Sequence, residues 1–284
     1  MCLGTFGAVS LVEDVATHET YALKQIRTSE ADSSSIARER SILAALDSPF
    51  CVRFFAEFVC KSQQSVFFLN EAVLGGELFR VLSGQRRFRE EQARFYGACV
   101  VCAFAHIHAK NVIFRDLKPE NLLIGANGFL KLVDFSSAKR RDSSCSLSGN
   151  AQYYSPEVIT CEAQSFQTDW WTLGVFVYEM VIGRAPFRDD ARVNMYEKIL
   201  TQNVNFPIKP KMSRWGKDLI TALLHKQPYK RLGAGLKGAN DVKAHQWFAD
   251  VDWQAMREQR AKAPFVPRIA HNKDLSNFDD FDEF

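Results

Sequence analysis

The chain has 284 residues, of which 46% are hydrophobic and 24% charged, and its formal net charge at pH 7 is +3. This is the balance of an ordinary globular protein with enough chain for one large domain or two lobes. It argues against general disorder and fibrous repeats, and the charge is too small to argue for nucleic acid as a partner.

Residues 8–12 and 21–26 alternate around a polar turn at 17–20, which predicts two strands. Ser33, Ser34 and Ser35 are expected to cap a helix with an apolar stripe at Ile36, Leu43 and Leu46, ending near Ser48-Pro49. Strands are expected at 54–58 and 65–69. Gly75-Gly76 then breaks the pattern, and helical periodicity follows at 78–82, 90–108, 168–183, 194–201 and 215–225. Short strands within 122–133 interrupt it. The sequence therefore predicts a small β-rich lobe, a hinge near 71–76 and a larger helical lobe.

Helical periodicity is lost after Arg260, in a tail that ends in the acidic and aromatic run Asn277-Phe278-Asp279-Asp280-Phe281-Asp282-Glu283-Phe284. The longest apolar stretches, at 96–105 and 170–182, fall short of the roughly 18–20 residues that cross a bilayer, and Glu179 interrupts the second. No transmembrane segment or signal peptide is expected. Seven scattered cysteines read as reduced thiols, which favours the cytoplasm, with nuclear or peripheral membrane locations also open. Cys99 and Cys102 share an apolar helical stretch with no second ligand pair at zinc spacing, so a buried helix face is expected there.

Chemistry concentrates in Arg115-Asp116-Leu117-Lys118-Pro119-Glu120-Asn121, a proline-containing loop between a helix and strands. Its acid can orient a hydroxyl, its lysine can neutralise developing negative charge, and its amide can bind a hard cation. Asp134 follows at a strand end, where carboxylate and amide could share magnesium. Upstream, the turn Gly4-Thr5-Phe6-Gly7 could bring backbone N–H groups to phosphates, although two glycines alone are a weak signal. Lys24 could reach a phosphate from its strand, with Glu39 of the next helix holding it in place.

In order and context, Tyr21-Ala22-Leu23-Lys24, Arg38-Glu39-Arg40, the loop 115–121, Asp134-Phe135-Ser136, Ser155-Pro156-Glu157 and Asp169–Gly174 resemble the signature set of the eukaryotic protein kinases. The resemblance covers nearly the whole chain and implies an α+β, bilobal protein kinase-like fold. It divides the chain into an N-lobe at 1–73, a C-lobe at 74–248 and a C-terminal tail at 249–284. Gly75-Gly76-Glu77-Leu78-Phe79, Lys230-Arg231-Leu232-Gly233 and the tail resemble the AGC group of serine/threonine kinases. The tail is most similar to the cyclic-AMP-dependent kinases. The activation segment 151–157 and Ala37–Arg40 are most similar to the 3-phosphoinositide-dependent kinase.

The resemblance implies ATP and Mg2+ as cofactors and serine or threonine hydroxyls of proteins, other kinases among them, as substrates; it leaves room for a regulatory partner. It makes Asp116 the base and Lys118 the stabiliser of the transferring phosphoryl group, with Asn121 and Asp134 holding magnesium. It assigns ATP contacts to Leu3, Gly4, Gly7, Val9, Ala22, Lys24, Glu39, Glu77 and Leu123, and to the hinge around Glu71 and Val73. Ser146 is the candidate activation phosphosite, with Arg38, Arg115 and Lys139 as its cationic partners. Glu157 and Arg231 form a structural ion pair. The resemblance implies that Phe278 and Phe281 fold back over the nucleotide. Glu77, Glu120 and Glu179 would favour arginine or lysine before the target hydroxyl.

Several positions depart from the family pattern. Cys2 replaces the first glycine of the phosphate loop, and the first strand is expected to be incomplete. The interval from Lys24 to Glu39 is short, so a small helix before the main one is expected to be lost. Asn70 replaces a larger apolar residue before the hinge, Phe114 a histidine or tyrosine, Ser136 a glycine and Asn150 a threonine. These departures are the ground for an alternative reading, a kinase-like binding module with little or no phosphotransfer.

Overall fold

The computed structural model describes residues 2–4, 7–29, 31–141 and 149–278. Five strands form the first layer: β1 (Cys2–Gly4), β2 (Gly7–Glu13), β3 (Thr20–Arg27), β4 (Phe54–Cys60) and β5 (Ser65–Glu71). They make one antiparallel sheet in the order β1-β2-β3-β5-β4. Side chains directly opposite one another share a face, and alternate residues of a strand share it too. Val9 lies opposite Lys24, which lies opposite Phe68, and Ala22 lies opposite Asn70. These five residues therefore line one face.

Helix α1 (Ser33–Leu43) follows β3 directly, and no helix intervenes among the described residues, as the short Lys24–Glu39 interval implied. Its cap is Asp32, one residue before the serines. The Asp32 carboxylate accepts the Ser35 N–H at 2.8 Å and the hydroxyls of Ser34 and Ser35. A carboxylate at the N-cap satisfies several donors at once, so the serines become the first turn and donate to it.

The second body is mainly helical. It contains α2 (Leu78–Gln85), α3 (Glu90–Ala109), α4 (Pro156–Ile159), α5 (Phe166–Ile182), α6 (Arg192–Thr201), α7 (Arg214–Leu223), α8 (Ala239–Lys243) and α9 (Trp253–Arg257). Helices α3 and α5 pack together at its centre, with Phe104, Trp170, Trp171 and Phe176 wholly buried. Cys99 and Cys102 lie on the buried face of α3, where burial pushes both thiols up, Cys102 to about 11. No cluster of potential metal ligands exists among the described residues.

Two short ribbons lie between the bodies. β6 (Val112–Ile113) pairs with β9 (Lys139–Arg140), and β7 (Leu122–Ile124) pairs with β8 (Leu130–Leu132). Leu132 exchanges backbone bonds with the 50–52 segment: its N–H reaches Phe50 O at 2.8 Å and its carbonyl accepts Val52 N–H at 2.9 Å. The strand leading to Asp134 is thus tied to the small lobe.

The tail crosses both bodies. Asn272 bonds the backbone carbonyl of His18 and Lys273 pairs with Glu13, while Asn277 Nδ2 donates to the carbonyls of Leu74 and Arg268. Gly75 and Gly76 permit this crossing. A Cβ on Gly75 would lie 2.2 Å from Ile124 O, and one on Gly76, at φ +81°, would lie 2.3 Å from Asn277 O. No helix among the described residues is long and apolar enough to span a membrane.

Candidate active site

The site lies where the cleft-facing side of the sheet meets the loops around β6–β9. Lys24 Nζ donates to Glu39 Oε1 at 2.7 Å and to Asp134 Oδ1 at 2.8 Å. Its strand, α1 and the end of the β8 segment are joined at one ammonium. Burial would lower the lysine pKa, but the two carboxylates outweigh it and hold the ammonium above its ordinary value. Burial raises the Glu39 carboxyl against the pull of Lys24. Burial also acts to raise Asp134, but the Lys24 charge and bonds from Lys24 and Ser136 overcome it and hold that carboxyl low.

Asp134 has φ +56°, a conformation in which its carboxylate also accepts the Ser136 N–H at 3.3 Å. Ser136 is not among the residues with positive φ. The left-handed strain falls on the aspartate, so a serine fits the next-but-one position without cost. Phe135 is fully buried against Phe114, with ring centroids 5.2 Å apart. This edge-to-face pair gives Phe114 its packing role.

The loop 115–121 is held from beneath by Asp169, which is fully buried at the start of α5. Asp169 accepts the backbone N–H groups of Phe114 at 2.9 Å and Arg115 at 2.8 Å, and it bonds His108 at 2.7 Å. Arg115 has φ +70°, and these bonds hold that strained backbone. Asp116 Oδ2 accepts from Lys118 Nζ and Asn121 Nδ2, both at 2.9 Å. Asn121 Nδ2 also donates to Asp116 O at 2.8 Å. Asp116 Oδ1 is buried without a partner. Gly149, at φ +92°, closes against it: a Cβ there would lie 2.6 Å from that oxygen. Asn150 does not join the network, because its side chain accepts the Gln152 N–H at 3.0 Å and caps the short turn at 151–153.

The donor set suits a hard cation. Asn121 commits its amide nitrogen to Asp116, which leaves the amide oxygen as an acceptor, and Asp134 supplies a carboxylate nearby in sequence and fold. One carboxylate and one amide, completed by phosphates and water, match the habits of magnesium.

The remaining expected positions are distributed as follows. Leu3 and Gly4 end β1 and Gly7 opens β2, with Leu3 opposite Ala8 and Gly4 opposite Gly7. Val9 and Ala22 share the Lys24 face, and Leu123 bridges Glu77 at the opposite wall. Val73 is buried, while the Glu71 carboxylate turns to Lys131 at 2.9 Å. Ser146 and Phe281 lie outside the described residues. Arg115 donates to the Ser137 carbonyl, two residues before Lys139, and α1, which carries Arg38, packs against β9. Arg38 Nη2 bonds Ser35 at 2.9 Å. Glu157 and Arg231 meet in a two-pronged pair at 2.8 and 3.0 Å, away from the cleft. Phe278 is half-buried beside the docked Asn277.

The positioning role of Asp169 was not apparent from the sequence; its signal is a carboxylate opening the apolar run Asp169-Trp170-Trp171, which must find donors once buried. Asn277, which fastens the tail to the hinge, had no sequence signal beyond its place in the terminal run.

Such a fold, with a lysine–glutamate pair above and an acid–lysine–amide loop below, is that of a protein kinase. The protein kinase domain model matches residues 2–248, and the chain belongs to that family. It is 38% identical over 285 residues to the Homo sapiens cAMP-dependent protein kinase catalytic subunit PRKX, covering 99% of this chain and 78% of that protein. It is 38% identical to the Dictyostelium discoideum cAMP-dependent protein kinase catalytic subunit, covering 99% of this chain and 43% of that one. Identity to the Drosophila melanogaster catalytic subunit 3 is 37%, over 99% of this chain and 48% of that protein. The chain thus spans less than half the length of the latter two.

Proposed function

We propose that this chain is a serine/threonine protein kinase that moves the γ-phosphate of Mg-ATP to protein hydroxyls. The observation that carries the reading is the Asp116 carboxylate. One oxygen is held by Lys118 and Asn121, and the other is buried and unpartnered. A carboxylate fixed in this way can accept and orient the hydroxyl hydrogen of a substrate. Lys118, already beside it, stabilises charge on the transferring group. Lys24 exchanges part of its bond to Asp134 for phosphate oxygens while Glu39 keeps it in place. Magnesium, when bound through Asn121 and Asp134, neutralises charge on the phosphates. Adenine lies between Val9, Ala22 and Leu123, against the backbone of 71–73.

Basic residues before the target hydroxyl are favoured. Glu120 Oε2 is buried without a partner, and burial, with a smaller contribution from Glu120, raises the nearby Glu179 carboxyl against the lowering effect of the Tyr153 hydroxyl bond. A guanidinium would relieve both. The likeness of the activation segment to the 3-phosphoinositide-dependent kinase adds other kinases as a substrate class. Phosphorylation of Ser146 would engage Arg38, Arg115 and Lys139 and so join α1 to the loop 115–121. The division at 1–73, 74–248 and 249–284 follows the hinge and the tail. Cys51, Cys60, Cys99, Cys102 and Cys161 are free thiols, which supports a cytoplasmic setting.

The test is Mg-ATP-dependent phosphorylation of serine peptides with and without arginine, for the wild type and Asp134→Asn. Transfer by the wild type alone is expected, faster on the arginine peptide. Equal activity in both proteins would overturn the reading. A magnesium-dependent thermal shift with ATP but no turnover would instead favour a binding module, consistent with the displaced Asn150.

A further inference from the structure

The loop 202–213, between α6 and α7, and the first turn of α7 combine positive charge with exposed apolar groups. From 199 to 217 the chain has four cations, Lys209, Lys211, Arg214 and Lys217, and no acidic residue. All four are exposed, and none makes an ion pair among the described residues. Between them stand Ile208, 93% exposed, and Trp215, 42% exposed. The loop is fastened at its base, where the Tyr178 hydroxyl donates to Asn205 O at 2.8 Å, and Lys217 reaches back over the Phe206 ring at 5.8 Å. Nearby acids do little to offset the charge. Glu90 of α3 accepts the Ser213 N–H at 2.9 Å and the Trp247 indole N–H at 2.6 Å, and Asp218 is bonded to His245 at 3.0 Å. Arg89, beside Glu90, is exposed and adds a further cation, against the exposed Glu91.

We propose that this end of the helical lobe rests on an anionic lipid surface. The four cations meet the negative headgroups, Ile208 enters between them, and Trp215 lies at the interface, where an indole is favoured. Two observations favour lipid over nucleic acid. Arg214 already lies over the Trp215 ring, 5.0 Å from its centroid, so that face is closed to a stacking base. An aliphatic tip such as Ile208 has no use on a phosphate backbone but gains by leaving water for a bilayer. A second copy of this face would set cation against cation. The placement also leaves the cleft open. Helix α3 runs 20 residues from Glu90, beside this patch, to Ala109, before the loop 115–121. That length is about 30 Å, so a lipid surface at one end need not cover the other. The proposal concerns where the chain is held and does not depend on phosphotransfer.

The experiment is co-sedimentation of the whole chain with vesicles of phosphatidylcholine alone and of phosphatidylcholine with phosphatidylserine, at low and high salt. Binding to the phosphatidylserine vesicles, weakened by salt, is expected, with little binding to the neutral ones. Each cation near such a surface is worth about fivefold, so the double variant Lys209→Ala, Lys211→Ala should bind about 10- to 30-fold more weakly. Ile208→Ser should lose about five- to tenfold while keeping the salt dependence, because it removes apolar contact and no charge. These side chains are exposed, so the variants should melt with the wild type and bind Mg-ATP as it does. Equal sedimentation with both vesicles, or variants that bind as the wild type does, would overturn the proposal. A single-stranded oligonucleotide that strips the chain from the vesicles, and binds Ile208→Ser as tightly as the wild type, would overturn it in favour of nucleic acid. None of these results bears on the kinase reading, which stands or falls with the transfer assay above.

Discussion

Replacing Arg231 by methionine should be among the most damaging changes away from the cleft. Arg231 and Glu157 are 2% and 3% exposed and meet through two bonds of 2.8 and 3.0 Å. Arg231 also donates to the carbonyls of Gln167 at 2.6 Å and His225 at 3.2 Å. Its removal leaves the Glu157 carboxylate buried among neutral donors such as the Thr168 hydroxyl, 3.2 Å away. Breaking a buried pair from one side costs about 3–5 kcal/mol. For a chain of this size that corresponds to a fall of about 6–20 °C in Tm. Burial acts to raise the Glu157 carboxyl, but the bonds and charge of Arg231 override it, and the carboxyl sits below its ordinary value of 4.5. A depressed carboxyl contributes stability in full above 4.5 and loses it as pH falls through the folded value. The deficit of Arg231→Met should therefore be largest at neutral pH and shrink in acid. The double variant Glu157→Gln, Arg231→Met should recover part of the loss. Thermal denaturation followed by circular dichroism at pH 7 and under acidic conditions reads all of this. A variant that melts with the wild type at neutral pH, or whose deficit grows in acid, would refute the reasoning.

Three other outcomes follow from the geometry. Gly76→Ala places a side chain at φ +81° against Asn277 O, so it should cost about 1–3 kcal/mol and make the tail more sensitive to limited proteolysis. Ser136→Gly should lower stability by about 0.4–1 kcal/mol, because serine already adopts the native backbone there, while phosphotransfer remains measurable. Burial first, and Arg231 second, lower Lys226 from 10.5 to about 8. The unfolded chain then binds more protons between those values, so stability should rise as pH increases through that window. Urea unfolding at the two ends of the window should show the rise in the wild type and lose it in Lys226→Met.

Much of the site was legible because its residues are fixed by chemistry and by chain order. Lys24, Glu39, Asp116, Asn121 and Asp134 stood out through the order of their motifs, the structure joins Lys24 to Glu39 and Asp134 and Asp116 to Asn121, and periodicity located the strands and helices that carry them. What the sequence did not reveal depends on competition between local partners. Asp32, rather than the serines after it, caps α1 because a carboxylate satisfies more donors. Asn150 turns to a local partner and accepts the Gln152 N–H, two residues on. The two-residue strands β6 and β9 have no periodicity to detect, and they form because distant segments meet. Asp169 was visible as part of a motif, but its grip on the backbone of Arg115 exists only once α5 is packed.

The central claim is that Asp116 handles a substrate hydroxyl while the rest of the site holds Mg-ATP. Phosphate transfer from labelled Mg-ATP to a serine peptide, measured together with ATP binding, separates these roles in Asp116→Asn. The account predicts that transfer falls about 10²–10⁴-fold while ATP affinity is retained. Equal transfer rates in the wild type and Asp116→Asn would contradict it.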